Sequence, residues 1–415
     1  MDKFFKVKTT EEVVDIIRTF KPLETEMISI ESSLGRVLAS DVISSEDLPS
    51  FARSSMDGYA VQAKDTFGAT ESLPAFLEVK GEVLMGECPS IKVEQGEAVR
   101  ISTGGMLPDG ADAVVMIEYC HSLDENTIEV AKAVSPLENV VSPGDDVRAG
   151  QAVLRKGHRL RPQDLGLCAA LGISELQVVR RPKIAIISTG DEVVDIGTVP
   201  GPGQVRDVNR YSLLGFCVGL GAIPQVLGRC EDKFGELRDK IAKGVEGADS
   251  VWISGGSSVG TRDLTLKVFE SLGEFELLVH GISISPGKPT IIGRVGEKPI
   301  IGLPGHISSA LVVAEVFLSE LINRLSGLGS ENTSDFCMVK AKMARNVESK
   351  TGRDDYVRVR LVEQGGELVA EPIFGKSALI SPLVEGDGLV RIHRNKEGVY
   401  RGEEVEVRLF GGISL

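Results

Sequence analysis

Apolar residues at Val13, Ile16, Ile17 and Phe20 recur at helical spacing, and Thr9 and Glu12 stand three apart as in a capping box. The first element predicted is therefore a helix beginning just after Thr9. Beyond Pro22 the pattern changes. Residues 45–140 are turn-rich with short apolar runs, such as Ala98-Val99-Arg100-Ile101 and Ala113-Val114-Val115-Met116, which predicts a small β-rich unit. Residues 160–171 return to helical spacing behind a proline near their start. From 178 to 326 apolar strand runs alternate with helical stretches. Ile184 to Ile187 is followed by Ser188-Thr189-Gly190-Asp191-Glu192, and Val251-Trp252-Ile253 by Ser254-Gly255-Gly256-Ser257-Ser258-Val259-Gly260. Pro299-Ile300-Ile301 is followed by Gly302-Leu303-Pro304-Gly305-His306. Continuous apolar strands joined by helices predict a doubly wound parallel sheet covered on both faces, so the fold class is α/β and multidomain. Ligands of such sheets bind beyond the carboxyl ends of the strands, where these three loops converge. From about 335 period-two alternation takes over, in Tyr356 to Leu361 and Val405 to Leu409, and predicts a small antiparallel C-terminal domain.

Charge then narrows the function. Lys and Arg number 46 against 60 Asp and Glu, a net charge of −14, and a large nucleic-acid footprint needs the opposite balance. An anionic substrate would have to be held by local donors rather than by the overall field. The six cysteines are scattered without a CxxC pair and the five histidines are isolated, which excludes a zinc knuckle, a dithiol motif and HxxxH sites. The N-terminal residues lack the apolar core of a signal peptide, and the most apolar late stretch, 311–322, is interrupted by Glu315, Ser319 and Glu320. The expectation is a cytoplasmic protein that engages no membrane.

Three loops carry candidate chemistry. The glycines and hydroxyls of the 255–260 loop suit close approach to phosphate, and Asp263, three residues on, is placed to hold a cation bridging that phosphate. The plain alternative is a strand-to-helix turn with a capping Asp; no Gly-Lys-Ser/Thr follows, so it is not a Walker loop. Asp191 and Glu192 offer adjacent carboxylates after a buried strand, or a helix cap and a solvated acid. Lys288 is bracketed by Pro286, Gly287 and Pro289, which suits a lysine fixed against an anion, or a rigid turn with an exposed lysine. Ser55-Met56-Asp57-Gly58 and Pro143-Gly144-Asp145-Asp146 read first as turns, and His306 as a packing or surface residue.

The combination resembles the molybdopterin molybdenumtransferase family of molybdenum cofactor biosynthesis, related to the C-terminal domain of gephyrin. The resemblance rests on Ser55-Met56-Asp57-Gly58-Tyr59-Ala60, Thr103-Gly104, Pro108-Asp109-Gly110-Ala111-Asp112-Ala113-Val114-Val115 and Gly144-Asp145-Asp146. It continues in Ser188-Thr189-Gly190-Asp191-Glu192, Asp207-Val208-Asn209-Arg210, Gly255-Gly256 through Asp263, Pro286-Gly287-Lys288-Pro289 and Leu303-Pro304-Gly305. Each segment is weak alone; their number and order, over nearly the whole chain, are not. The resemblance implies a doubly wound domain (7–26 and 178–326), a linker domain (27–44 and 145–177), an inserted β-rich domain (45–144) and a C-terminal β-barrel (327–415). It also implies a homodimer whose site lies between subunits, with Asp57, Thr103 and Asp146 of one facing Glu192, Asp232, Asp263 and Lys288 of the other.

The implied reaction is insertion of molybdate, or tungstate, into adenylylated molybdopterin with release of AMP. Asp57, Asp146, Glu192 and Asp263 would carry the chemistry, with Glu192 and Asp263 holding Mg²⁺. Thr103, Ser188, Thr189, Gly190, Asp232, Gly255, Gly256, Ser257, Ser258, Gly260, Lys288, Pro304, Arg353 and Ser377 would bind the pterin nucleotide and oxyanion. A molybdopterin adenylyltransferase would be a transient partner. Two other readings are an adenylyltransferase acting on molybdopterin and a non-catalytic pterin or oxyanion scaffold. Three departures from the family pattern support the last: Ser285 replaces a basic residue before Pro-Gly-Lys-Pro, His306-Ile307 replaces Asn-Pro, and Val140, Val141 and Ser142 replace basic residues before Gly144.

Overall fold

A computed structural model describes residues 7–255, 259–328 and 338–410, without the side chains of 259–263. The chain divides into two compact units, one of residues 1–40, 156–161 and 175–415, the other of 41–155 and 162–174.

In the first unit, α1 (Thr10–Arg18) begins where the capping box predicts, with Thr9 accepting from the Glu12 amide and Glu12 accepting from Thr9. Val13 and Ile17 are fully buried and Phe20 nearly so, in the core of the doubly wound domain. That domain consists of β1 (Lys183–Thr189), α2 (Asn209–Gly219), β2 (Ile223–Cys230), α3 (Phe234–Gly247), β3 (Ser250–Ser254) and α4 (Val259–Glu270). It continues with β4 (Phe275–His280), β5 (Ile284–Ser285), β6 (Ile291–Val295), β7 (Lys298–Leu303), α5 (Ile307–Val313) and α6 (Ser319–Leu325). The sheet runs β2-β1-β3-β7-β6-β4. Its first four strands are parallel, as the sequence predicts; β6 and β4 extend it antiparallel. Alternate residues of β1 explain the two-sided burial: Ile184 and Ile186 face the core shared with α1 and α2, Ala185 and Ile187 the core shared with α3 and α4.

The C-terminal domain contains β8 (Met338–Met343), β9 (Asp354–Gln364), β10 (Glu367–Pro372), β11 (Gly388–Ile392) and β12 (Glu404–Leu409). They pair β9-β10-β8-β12-β11, and β11 returns to β9, closing a five-stranded barrel. β5 pairs in parallel with the start of β9, setting Ser285 opposite Asp355. A three-stranded sheet of Thr25–Ser29, Glu175–Val179 and Val37–Leu38 completes the unit.

The second unit is built on a six-stranded sheet that includes Gly58–Val61, Ala75–Val83, Glu97–Ile101, Ala113–Met116 and Thr127–Val130. Its helix, Pro162–Ala170, lies in the stretch read as helical from sequence. No helix among the described residues is long and apolar enough to cross a membrane.

Candidate active site

Two groups of side chains gather at the carboxyl ends of the parallel strands. The first lies at β1 and β2. Thr189 closes β1 and its hydroxyl donates to Asp232 Oδ1 at 2.5 Å, while the Asp232 amide donates to Asp191 Oδ1 at 3.2 Å. Burial raises the pKa of the Asp232 carboxyl, and the charges of Asp191 and Glu192 push the same way, against the Thr189 hydroxyl and Arg229. Crowded acids of this kind favour a cation. Among the described residues no three metal-ligating side chains converge on one point. Gly255 shows why the adjoining loop begins with glycine: its φ is +142°, and a Cβ there would lie 2.0 Å from the Thr189 carbonyl. Gly256, Ser257 and Ser258 lie outside the described residues, and of Gly260 and Asp263 only the helical backbone within α4 is described. The hydroxyl of Ser188 is buried against the α2 side of the sheet, where no hydrogen-bond partner meets it among the described residues.

The second group lines a cleft of about 600 Å³ between the doubly wound domain and the barrel. Lys288 projects from the turn after β5, exposed and without an ionic partner among the described residues. Gly287, at φ +118°, has space for no Cβ, which would meet Ile284 Cδ1 at 2.7 Å and Val313 Cγ2 at 2.8 Å. Backbone bonds pin this turn: the Ile282 amide donates to the Lys288 carbonyl, and the Thr290 hydroxyl to the Gly287 carbonyl. Pro304 and His306 line the cleft from the loop after β7. His306 Nδ1 stands 2.9 Å from Ser377 Oγ on the barrel, and the Ser308 amide donates to the Ser377 carbonyl at 3.1 Å.

Two arginines of β9 and the turn before it face this cleft, and they differ. Arg353 is paired with Asp355 at 2.9 Å, so most of its charge is already met. Arg358 donates to Ser308 Oγ at 3.0 Å and to the Gly375 carbonyl at 2.9 Å, and meets no carboxylate among the described residues. Burial lowers its pKa, as expected for a desolvated cation without a counter-charge. Glu348 also lines the cleft, leaving Lys288 and Arg358 as the cations that carboxylates leave open. Lys288, Pro304, Arg353 and Ser377 thus line one cleft. Arg358 and Ser308 were not foreseen: strand alternation gave Arg358 the look of a solvent-facing position, and Ser308 sits in an apolar helix.

In the second unit Asp57 and Thr103 meet. The Thr103 amide and hydroxyl both donate to Asp57 Oδ1, at 2.7 and 2.9 Å, and hold its pKa below the usual carboxylate range. Asp146 lies on an exposed turn whose backbone bonds to Leu48, and Val140–Val141 pairs with Arg53–Ser54 just before Asp57. Another cavity, of about 1000 Å³, lies at the opposite, amino-terminal ends of the parallel strands. It is lined by ion pairs such as Arg180–Asp249 and carries none of the candidate residues.

Comparison with known proteins decides the family. Three family models match in order: the MoeA N-terminal region (domain I and II) over residues 8–172, the probable molybdopterin binding domain over 185–324, and the MoeA C-terminal region (domain IV) over 340–410. The molybdopterin molybdenumtransferase of Haemophilus influenzae is 34% identical over 94% of this chain and 95% of its own length. The chain belongs to the MoeA family. The enzyme of the same name from Bacillus subtilis is 29% identical over 99% of this chain and 95% of its own. A solved molybdopterin biosynthesis MoeA protein of Pyrococcus horikoshii covers 98% of this chain and 100% of its own, at 38% identity and a TM-score of 0.82. A second MoeA structure from that organism gives 30% identity and a TM-score of 0.85 over the same coverage. The family assignment and the α/β multidomain architecture expected from sequence therefore both hold.

Proposed function

We propose that this protein is a molybdopterin molybdenumtransferase, inserting molybdate into adenylylated molybdopterin with release of AMP. The observation that carries the reading is the cleft holding Lys288 and Arg358, with the hydroxyls of Ser308 and Ser377, on a protein of net charge −14. A local basic cleft on an acidic chain is what recognition of an oxyanion requires. The names of the family relatives support the reaction.

Roles follow from charge and geometry. Lys288 and Arg358 take up oxyanion charge, and Ser377 adds a neutral hydrogen bond. Thr189, Gly190, Asp232 and Gly255 border the nucleotide phosphates, and the family resemblance adds Gly256, Ser257, Ser258 and Gly260 to the residues that bind them. Glu192 and Asp263 would hold Mg²⁺, which fits the crowding of Asp191, Glu192 and Asp232. When bound, it supplies neutralisation of the phosphate charge. Water attacks phosphorus, the phosphoanhydride P–O bond breaks, and AMP leaves. Asp57, kept ionised by Thr103, is a weak base and a good acceptor, so it orients that water while Asp146 stands as the candidate to receive its proton. We place Asp57, Thr103 and Asp146 on one subunit of a homodimer and the other groups on its partner, as the resemblance implies. The setting is cytoplasmic, with transient delivery of substrate by a molybdopterin adenylyltransferase.

The test is incubation with adenylylated molybdopterin, Mg²⁺ and molybdate, following AMP. Release that requires molybdate supports insertion; conversion of ATP and free pterin to the adenylylated form would make the protein an adenylyltransferase; binding without turnover would make it a scaffold. Arg358→Ala should raise the molybdate concentration for half-maximal release about tenfold or more, the scale of one charge-assisted hydrogen bond. An unchanged value would remove the cleft from the reaction.

A further inference from the structure

Asn209 opens α2, is only 7% exposed, and takes no part in the site so far described. Its Nδ2 donates to Ser254 Oγ at 2.6 Å and to the Gly305 carbonyl at 2.8 Å. A carbonyl can only accept, so the amide orientation is set and both hydrogens are used. These two acceptors belong to different strands. Ser254 is the last residue of β3, and Gly305 follows β7 by two residues. The β3–β7 register ends at Ser254 and Leu303. Beyond that point, among the described residues, a long 3.5 Å contact from the Gly255 amide to the Leu303 carbonyl joins them, and the Asn209 side chain bonds to both segments.

The bond to Gly305 has a further consequence. The Gly305–His306 peptide is trans, so its C=O and N–H point in opposite directions. With the carbonyl held on the α2 side, the His306 amide is turned away from it, and that amide donates to no acceptor among the described residues. His306 itself lines the cleft of Lys288 and Arg358. Asn209 is held firmly enough to do this: Leu213 and Cys217, one and two turns on, are fully buried in the core, and Asp207 Oδ1 accepts from the Arg210 amide at 3.1 Å.

We propose that Asn209 is a positioning residue of the oxyanion cleft, locking the Gly305 carbonyl so that the free His306 N–H is presented to the bound anion. The inference rests on the proposed function, because it takes the cleft to be the molybdate site. Ser285 and Ile307 offer weaker donors than a lysine or none, so a backbone donor at His306 matters more in this chain than in one with a basic residue at 285.

Calorimetric titration of molybdate into the full chain tests it, with Asn209→Ala and Asn209→Asp compared against Leu213→Ala. Asn209→Asp keeps the volume but turns an acceptor toward Gly305, so it serves where the alanine variant fails to fold. Leu213→Ala damages the same helix without touching the loop. Both Asn209 variants should bind molybdate about tenfold or more weakly, as for loss of one hydrogen bond to a charged group. Leu213→Ala, though less stable than wild type in a thermal melt, should stay within about twofold, since it loses only buried apolar contacts. Equal affinity in the Asn209 variants and wild type, or equal weakening in Leu213→Ala, overturns the role. Molybdate-dependent AMP release by the wild type, run in parallel, separates the two claims. If the wild type binds and turns over while the Asn209 variants bind equally well, only this inference falls; if the wild type does neither, both fall.

Discussion

At the scale of single residues, what distinguishes the cleft is which cations have no partner. Arg353 and Arg358 stand five positions apart, yet Asp355 occupies the first and, among the described residues, only neutral acceptors meet the second. Ser285 lines the same cleft as Lys288, half-buried and opposite Asp355 in the β5–β9 register. A lysine there would add a charge-assisted hydrogen bond of about 1.5–3 kcal/mol to an oxyanion. Ser285→Lys should therefore tighten molybdate binding by about tenfold for each ~1.4 kcal/mol realised, partly offset by attraction to Asp355. Calorimetry of the two proteins reads this directly, and an unchanged affinity would place position 285 outside the anion site.

At the scale of elements, turns and a distorted helix do the positioning. Gly255 lets β3 leave the sheet beside Thr189, and Gly255→Ala puts a methyl into the Thr189 carbonyl at a φ that L-residues avoid. The expected cost is about 1–3 kcal/mol in urea unfolding, and AMP binding in the presence of Mg²⁺ should fall sharply. Retained AMP affinity would separate this turn from the phosphate site. Between α5 and α6 the helix widens into a π turn over Ala314–Leu318. Arg408 of β12 donates to the Glu315 carbonyl within it and to Ser319 Oγ at 2.9 Å, which ties the barrel to the helix. Burial lifts the Glu315 carboxyl from an ordinary 4.5 to about 7, against the pull of Arg408. A raised folded-state pKa means that the native protein holds a proton the unfolded chain releases. The Glu315 contribution is therefore complete below pH 4.5 and lost as pH rises through 7. Glu315→Gln should leave stability at pH 5 nearly unchanged and raise it at pH 8 by about 1–2 kcal/mol, allowing for the partial exposure of the residue. Chemical denaturation at the two pH values measures the difference; a gain equal at both would mean that its titration is not coupled to folding.

At the scale of the whole molecule, the candidate residues fall on two compact units, with Asp57, Thr103 and Asp146 on one and Glu192, Asp232, Lys288 and Arg358 on the other. If catalysis joins these sets across a homodimer, damage to one set can be complemented by damage to the other. Asp57→Asn and Asp263→Asn homodimers should each lose AMP release, and subunit exchange between them should restore up to about one quarter of wild-type activity. That fraction is one intact site of two in the half of the dimers that are mixed. Demonstrated exchange without recovered activity would argue for a site formed within one subunit.

Much of this was legible along the chain because local periodicity reports burial. The capping box at Thr9 and Glu12 starts α1 as read, and the runs at 184–187, 251–253 and 299–301 are strands of one sheet whose ends carry the candidate loops. The alternation after 335 is the barrel. Strand direction was not legible: β6 opens as a short buried apolar run like its parallel neighbours, and such a run carries no mark of its direction. Nor was the cleft. Lys288 and Pro304 announced themselves through rigid loops, but Arg358 was masked by period-two alternation, Ser308 by an apolar helix, and Asn209 by its place in a segment with no assigned role. Composition and pattern determined the acidic, multidomain α/β character of the chain and the loops where chemistry would gather. Only the docking of the barrel on the doubly wound domain brought Lys288 and Arg358 to one cleft, because that depends on contacts between segments about 70 residues apart, a distance over which periodicity carries no information.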